Sequence, residues 1–275
     1  MARKSEIFER IAAAIERLAP PDRAPIDWQS APAYVWTERG ARPIEHLEAP
    51  ALGLLRGIDL QKRRVTENVL RLAQGHAAHD MLLWGARGMG KSALLRAAVA
   101  DAQVAHPGTI ALVQVGTDAL HGLSALFGEL SEIDRNFLVF IDDLGFAEGD
   151  SVGPRHLRSW LEGGVEQRPP NLRLAVTSNR RAIVAREASE QDDPLNPRDV
   201  VDDRLALADR FGLALGFHNC TQDDYLAIVE GYAAEYGLGW DQADALEWAK
   251  RRGARSGRTA WQYLVELAGR AGKRL

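Results

Sequence analysis

The sequence predicts an α/β fold, with a five-stranded parallel sheet flanked by helices and a small C-terminal helical lid. Three observations carry that expectation. Five short apolar runs alternate with helix-sized segments between residues 81 and 217. A glycine-rich loop joins the first run to a helical stretch, and beyond residue 220 only helical periodicities continue.

Taken in order, residues 5–18 place Ile7, Phe8, Ile11, Ala14, Ile15 and Leu18 on one face of a helix. Ser5 caps it and Pro20-Pro21 ends it, and its stripe reads as a face docked on its own domain. Residues 20–50 hold six prolines together with Trp28, Tyr34 and Trp36. They read as an irregular, packed lead-in, because the aromatic rings need burial. The strand-like runs are Met81–Trp84, Ile110–Val115, Phe137–Ile141, Leu172–Val176 and Leu213–Phe217. Short apolar runs separated by helix-length segments describe parallel strands covered on both faces. Thr221-Gln222-Asp223-Asp224 has the spacing of a capping box, with Asp in the last position, and opens a helix bearing Tyr225, Val229, Tyr232 and Tyr236. Two more helical stretches lie near 241–251 and 257–270. The expected division is therefore 1–50 as N-terminal helix and lead-in, 51–219 as core, and 220–275 as lid.

The composition is that of an ordinary soluble domain, with 46 % hydrophobic and 26 % charged residues over 275 positions. A formal net charge of −4 does not favour a protein that coats nucleic acid along its whole surface. The single cysteine, Cys220, excludes an intrachain disulfide and a cysteine-based metal site. No run approaches the roughly 18 apolar residues of a membrane span, and Glu6, Glu9, Arg10 and Glu16 break up any signal-peptide core. The expectation is a cytoplasmic protein with no membrane partner.

The chemistry concentrates in Gly85-Ala86-Arg87-Gly88-Met89-Gly90-Lys91-Ser92, followed by Ala93. An apolar strand precedes it and a helix follows, which is the context a phosphate-binding P-loop requires. Glycines let the backbone wrap a phosphate chain, with N–H groups and a helix N-terminus aimed at the charge. Lys91 would reach the β- and γ-phosphates and the Ser92 hydroxyl would hold magnesium, so the loop implies ATP and Mg2+ as ligands. The pattern arises by chance in a chain of this length only about once in a hundred. About fifty residues on, Phe137–Ile141 runs into Asp142-Asp143. Asp142 is placed to hold the hydrated metal, and Asp143 to polarise an attacking water.

The order of these elements resembles that of the AAA+ P-loop ATPases: P-loop, acidic strand end, polar strand end, arginine-bearing turn, helical lid. In that resemblance Thr177-Ser178-Asn179 matches sensor 1, with Asn179 orienting the water. Leu207 to Leu213 is similar to the Ser-Arg-Phe box of bacterial replication initiators. It makes Arg210 the candidate arginine finger for a neighbouring subunit, with Arg204 as the alternative. Arg255-Ser256-Gly257-Arg258 looks like sensor 2, with Arg258 on the nucleotide and Arg255 as the alternative. Residues 50–270 also resemble one bacterial family catalogued only as an ATP-binding domain of unknown function. The matching stretches are Leu55–Lys62, Ile141–Leu144, Leu161–Gly164, Thr177–Arg181 and Asp209–Leu213. That likeness lays Gly57 and Ile58 against the adenine.

Two departures shape the functional expectation. Asp142-Asp143 stands where many AAA+ enzymes have Asp-Glu, a feature shared with initiators and helicase loaders, and Glu148 is a second candidate base. Gly116–Gly128 lacks an aromatic-apolar-Gly triplet in the expected place. Leu126-Phe127-Gly128 reads as helix packing, so protein threading is disfavoured. The seven histidines show no metal-ligand spacing and no Gly-x-Ser-x-Gly occurs. The basic run Lys250–Arg258 reads as a solvated lid face plus one sensor arginine, and nucleic acid is an open but unfavoured partner. The resemblance implies an ATPase whose site is shared between subunits of a homo-oligomer, acting on an unknown protein client. The alternative is a slowly hydrolysing switch or loader that recruits a protein or single-stranded DNA. A P-loop kinase is disfavoured by the lid and by the lack of an acceptor site.

Overall fold

The computed structural model describes residues 26–145, 161, 169–179 and 209–275. The expected helix over 5–18, Glu148, Arg204 and the segments Glu162–Gly164 and Arg180-Arg181 lie outside the described residues. β1 (Ala33–Thr37) and β2 (Gly40–Ile44) form a hairpin, followed by a 3-10 turn at Leu52–Leu54. α1 (Asp59–Ala73), β3 (Met81–Gly85), α2 (Lys91–Ala105) and β4 (Ile110–Val115) come next. A second 3-10 turn (Thr117–Gly122) leads into α3 (Leu123–Ser131), β5 (Asn136–Ile141), β6 (Leu172–Ser178) and β7 (Leu213–Phe217). The lid consists of α4 (Gln222–Glu235), α5 (Gln242–Arg251) and α6 (Gly257–Arg270).

The strands join in one seven-stranded sheet of order β2-β1-β4-β5-β6-β3-β7. Every pairing is parallel except β1 with β2. The five strands read from the sequence are the parallel core, and their apolar continuity follows from burial on both faces. On β5, Leu138 and Phe140 join a core beneath α1, α2 and the lid. Phe137, Val139 and Ile141 join a second core beneath α3 and the lead-in aromatics.

The irregular lead-in needs correcting over residues 33–44, which add two strands to the five expected. Pro32 before β1, Pro43 within β2 and the Gly40 turn hid the alternation, and β2 tolerates its proline because it is the edge strand. The aromatic rings are buried as their chemistry demands: Trp28 packs on Tyr34 at 4.7 Å and on Phe137 at 5.9 Å between ring centres. Arg135 fixes this region to the sheet. Its guanidinium donates to Trp28 O and Ala31 O, each at 2.8 Å, and to Ile110 O at 3.1 Å. The buried guanidinium satisfies two lead-in carbonyls that the irregular backbone there does not pair internally, and ties them to the start of β4.

In the lid, the Thr221–Asp224 capping box is formed in both directions. Tyr225 and Tyr263 are fully buried and tie α4 and α6 to α5, Tyr225 donating to Ala245 O at 3.1 Å and Tyr263 to Asp244 Oδ2 at 3.0 Å. Leu126 and Phe127 are buried on α3. No described helix is long and apolar enough to cross a membrane.

Candidate functional site

β3 pairs with β6 on one side and β7 on the other. The loop after it therefore opens at the carboxyl ends of the strands, where α/β sheets place their ligands. Gly85 has φ +119, and a Cβ there would run into the Phe217 carbonyl. Ala86 N donates to Phe217 O at 2.8 Å, which fixes the loop's base to β7. Gly88 has φ +74, and a Cβ would sit 2.9 Å from Ser256 Oγ on the lid. The loop then turns directly into α2, so the backbone N–H groups of the first helical turn lack helical partners.

Lys91, the first residue of α2, is buried, and its amine curls back over the loop. Nζ donates to Gly85 O at 2.8 Å, Ala86 O at 2.9 Å and Asn179 Oδ1 at 3.4 Å. Burial pushes its pKa below the ordinary lysine value. Asp143 and Asp142 oppose that shift, while Arg87 and Arg258 reinforce it. An arriving phosphate would restore what burial removes.

The carboxyl end of β5 supplies the acidic half. Asp142 Oδ1 accepts from Ser92 Oγ and from Thr177 Oγ1, each at 2.6 Å. Asp143 follows with φ +51, its N–H donating to Thr177 Oγ1 at 2.8 Å and its carboxylate accepting from Asn179 Nδ2. Thr177 thus bridges the two acids, a role that sequence reasoning missed. The available signal was a polar residue ending an otherwise apolar strand beside the acidic one.

These groups wall a cavity of about 590 Å³, within the usual size of a small-molecule site. Its polar end is Asp142, Asp143, Thr177, Asn179 and the loop from Arg87 to Ala93. Its apolar end is Leu54, Leu55 and Ile58 opposite Ile228, Tyr232 and Trp261 of the lid. That polarity gradient suits a ligand with a phosphate chain at one end and a flat base at the other. The glycine cradle and the Ser92–Asp142 oxygen pair fit a magnesium nucleotide, since Mg2+ favours hard oxygen donors beside phosphate. Ile58 lines the cavity, whereas Gly57 turns away and packs on Asp224 of α4. Gly85 and Ala86 hold Lys91 through their carbonyls rather than lining the space. Of the two lid arginines, Arg258 lines the cavity and Arg255 donates to Gln222 Oε1 at 3.3 Å. Arg56 and Arg96 also line it, and neither was singled out from sequence.

Arg210 is not brought to this cavity. It lies just before β7, whose Leu213 pairs with Met81 at the start of β3, while the P-loop follows Gly85 at its end. A five-residue strand separates the two positions, roughly 13 Å along the sheet.

The sequence model of the family described as "Protein of unknown function (DUF815)" matches residues 29–271. No curated protein matches. Among solved structures, the chain is similar to the Thermotoga maritima RuvB Holliday junction branch migration motor. That pair shares 16 % identity and a TM-score of 0.53 over 82 % of this chain and 68 % of that one. The Aeropyrum pernix Orc1 protein in complex with DNA aligns at 18 % identity and TM-score 0.52, over 83 % and 66 % of the two chains. Domain III of the Thermotoga maritima replication initiation protein DnaA aligns at 11 % identity and TM-score 0.50, over 80 % and 87 %. These likenesses establish the AAA+ fold.

Proposed function

The chain belongs to the family described as protein of unknown function, DUF815, with an AAA+ fold, and from that premise we propose that it binds ATP with Mg2+ and hydrolyses it at a subunit-shared site. One observation carries the reading. Every side chain needed within a single subunit surrounds one cavity, while Arg210 stands at the far end of the sheet. An arginine that cannot reach its own site is suited to completing another subunit's.

In this reading the backbone of residues 88–92 and Lys91 hold the phosphate chain. Ser92 and Asp142 hold the metal, and Thr177 keeps Asp142 oriented. Bound magnesium would neutralise phosphate charge. Asp143 and Asn179 would set the attacking water in line, and Arg258 would report the nucleotide to the lid. Arg210 from an adjoining copy would add positive charge only in the assembly, a contribution worth on the order of 10³–10⁵ in rate for a trans arginine. The cycle would drive a conformational change on a protein client in the cytoplasm.

A second reading, a slow switch or loader for a protein or single-stranded DNA, is favoured by the engagement of Asp143 with Asn179. A base that is already hydrogen-bonded and carried on a short side chain suits slow turnover. That some similar structures are a branch migration motor and a DNA complex keeps single-stranded DNA within this reading.

The deciding experiment measures ATP turnover per subunit across protein concentrations, with Lys91→Ala as blank. A rate that rises with concentration and is lost in Arg210→Ala, with ATP binding kept, is the expected result. Equal turnover in Arg210→Ala would overturn the shared site. A flat rate near the blank, with ATP bound, would select the switch.

A further inference from the structure

The apolar end of the cavity is walled unevenly. Leu55 and Ile58 of the core and Ile228 and Tyr232 of the lid line it, and all four are buried. Trp261 of α6 completes the wall at 37 % exposure, the most exposed of the cavity's apolar side chains. α6 does not need this ring to dock. Ala260, Tyr263, Leu264, Leu267 and Ala268 form its buried face, and Trp261 stands outside it. A single exposed apolar side chain is ordinary on a protein surface. What sets Trp261 apart is its place, since it borders both the cavity and an outer groove beside Trp248 and Val265.

The ring is held without being covered. Tyr232 and Tyr236 approach it at 5.4 and 5.8 Å between ring centres, with planes inclined by 74° and 68°. The two tyrosines are one turn apart on α4, so they come from one side. Among the described residues no aromatic ring lies parallel to the indole, and the described cation over an indole sits on Trp248. Edge contacts of this kind fix the tilt of the ring and leave a face unstacked. Trp261 also stands in register with the phosphate loop. Arg258 N donates to Gly88 O at 3.2 Å, and Trp261 follows Arg258 by three residues on the same face of α6. The indole is therefore about 4.5 Å farther along the helix axis from that joint. On the core side, Ile58 Cδ1 and Leu55 Cδ2 lie 3.7 and 3.8 Å from where a Cβ on Gly90 would be. The apolar space thus begins where the loop ends, between core and lid.

We propose that Trp261 is a specificity-determining residue that binds the nucleobase, offering a flat aromatic surface on the lid against which a heteroaromatic ring stacks. This rests on the nucleotide reading above and assigns a residue within it. Leu55 and Ile58 meet the base from the core, so the base itself spans core and lid. A bare polyphosphate fills the loop and leaves that apolar space empty, whereas a nucleotide fills both. Trp261 thereby separates nucleotides from inorganic triphosphate. It also makes the lid's hold on its ligand depend on the base as well as on the phosphates.

The test compares dissociation constants for the magnesium complexes of a non-hydrolysable imido analogue of ATP and of inorganic tripolyphosphate. Wild type, Trp261→Leu and Trp261→Phe are measured, since leucine keeps apolar bulk without a flat ring and phenylalanine keeps a smaller ring. Wild type should bind the nucleotide at least about tenfold more tightly than tripolyphosphate. Trp261→Leu should weaken the nucleotide by about fivefold to a hundredfold, the range lost when base stacking on an aromatic ring is removed, and tripolyphosphate by less than about threefold. Trp261→Phe should recover part of the loss. Equal weakening of both ligands would overturn the proposal by making Trp261 a prop of the lid. Unchanged nucleotide binding in Trp261→Leu would overturn it by placing the base elsewhere. A wild type that holds tripolyphosphate as tightly as the nucleotide would overturn it while leaving the phosphate loop in place. Failure of the wild type to bind either ligand would remove the nucleotide reading itself, and the proposal with it.

Discussion

Thr177 donates its hydroxyl to Asp142 at 2.6 Å across the gap between the neighbouring strands β6 and β5. The same oxygen accepts the Asp143 N–H at 2.8 Å. One side chain thus sets both acids, and its removal tests the acidic half of the site without deleting a charge. Thr177→Val keeps the shape and loses both bonds. Turnover and apparent Mg2+ affinity should fall by about tenfold to a hundredfold, as they do when an outer hydrogen-bond partner of a metal ligand is removed. ATP affinity without metal should change little. A magnesium titration of ATPase rate checks this, and an unchanged profile would remove Thr177 from the site.

Lys91 is the anchor of the phosphate end, and Lys91→Ala should abolish nucleotide binding. A ligand at about a hundred times its dissociation constant stabilises the folded state by about 2.7 kcal/mol. That stabilisation should be present in the wild-type melting curve and absent from the variant's. A variant still stabilised by ATP would place the phosphates elsewhere.

Arg135 tests the fold away from the site. Arg135→Met leaves the Trp28 and Ala31 carbonyls without their donor, at a cost of about 2 kcal/mol or more, whereas Ile110 O keeps Gln103 Nε2 at 3.1 Å. Nucleotide affinity should be unaffected, because the residue lies in the turn between α3 and β5 and outside the cavity. Urea unfolding and ATP titration on the same preparation separate the two effects. Full stability in the variant would show that the lead-in does not need this clamp.

The lid should loosen in alkali. Burial, with Asp224 nearby, pushes the Cys220 thiol up to about 11, and burial pushes Tyr225 and Tyr263 up to about 12. A group whose pKa is raised on folding favours the folded state fully below its unfolded pKa. That contribution drains away as pH climbs to the folded value. Stability should therefore be level up to about pH 9, where an exposed thiol ionises, and decline towards pH 12. At pH 8 the folded thiol should also react about a hundredfold more slowly than an exposed one, since only the thiolate attacks. Thiol labelling with and without denaturant, beside melting curves from pH 8 to 11, measures both. Fast labelling of the folded protein would contradict the burial of Cys220.

The parallel strands were legible because burial on both faces forbids polar interruption, so Phe137–Ile141 and Met81–Trp84 announce themselves within a residue of their bounds. The hairpin was not legible, because an edge strand bears no such constraint. β2 reads Gly-Ala-Arg-Pro-Ile, with Arg42 and Pro43 facing solvent. The phosphate loop was contiguous and therefore readable. Thr177's double contact, Arg56 over Gly231 and the Tyr232–Trp261 wall depend on segments far apart in the chain. A local pattern carries no trace of them.

The bond from Arg258 N to Gly88 O joins the phosphate loop to the first turn of α6 through main-chain atoms alone. α6 has 14 residues, so it is about 21 Å long at 1.5 Å per residue. A tilt of about ten degrees at its loop end would carry its far end about 4 Å. The helix is a lever with its short arm on the phosphates. A displacement of Gly88 too small to notice at the loop would be delivered, enlarged, to the outer edge of the lid around Arg270.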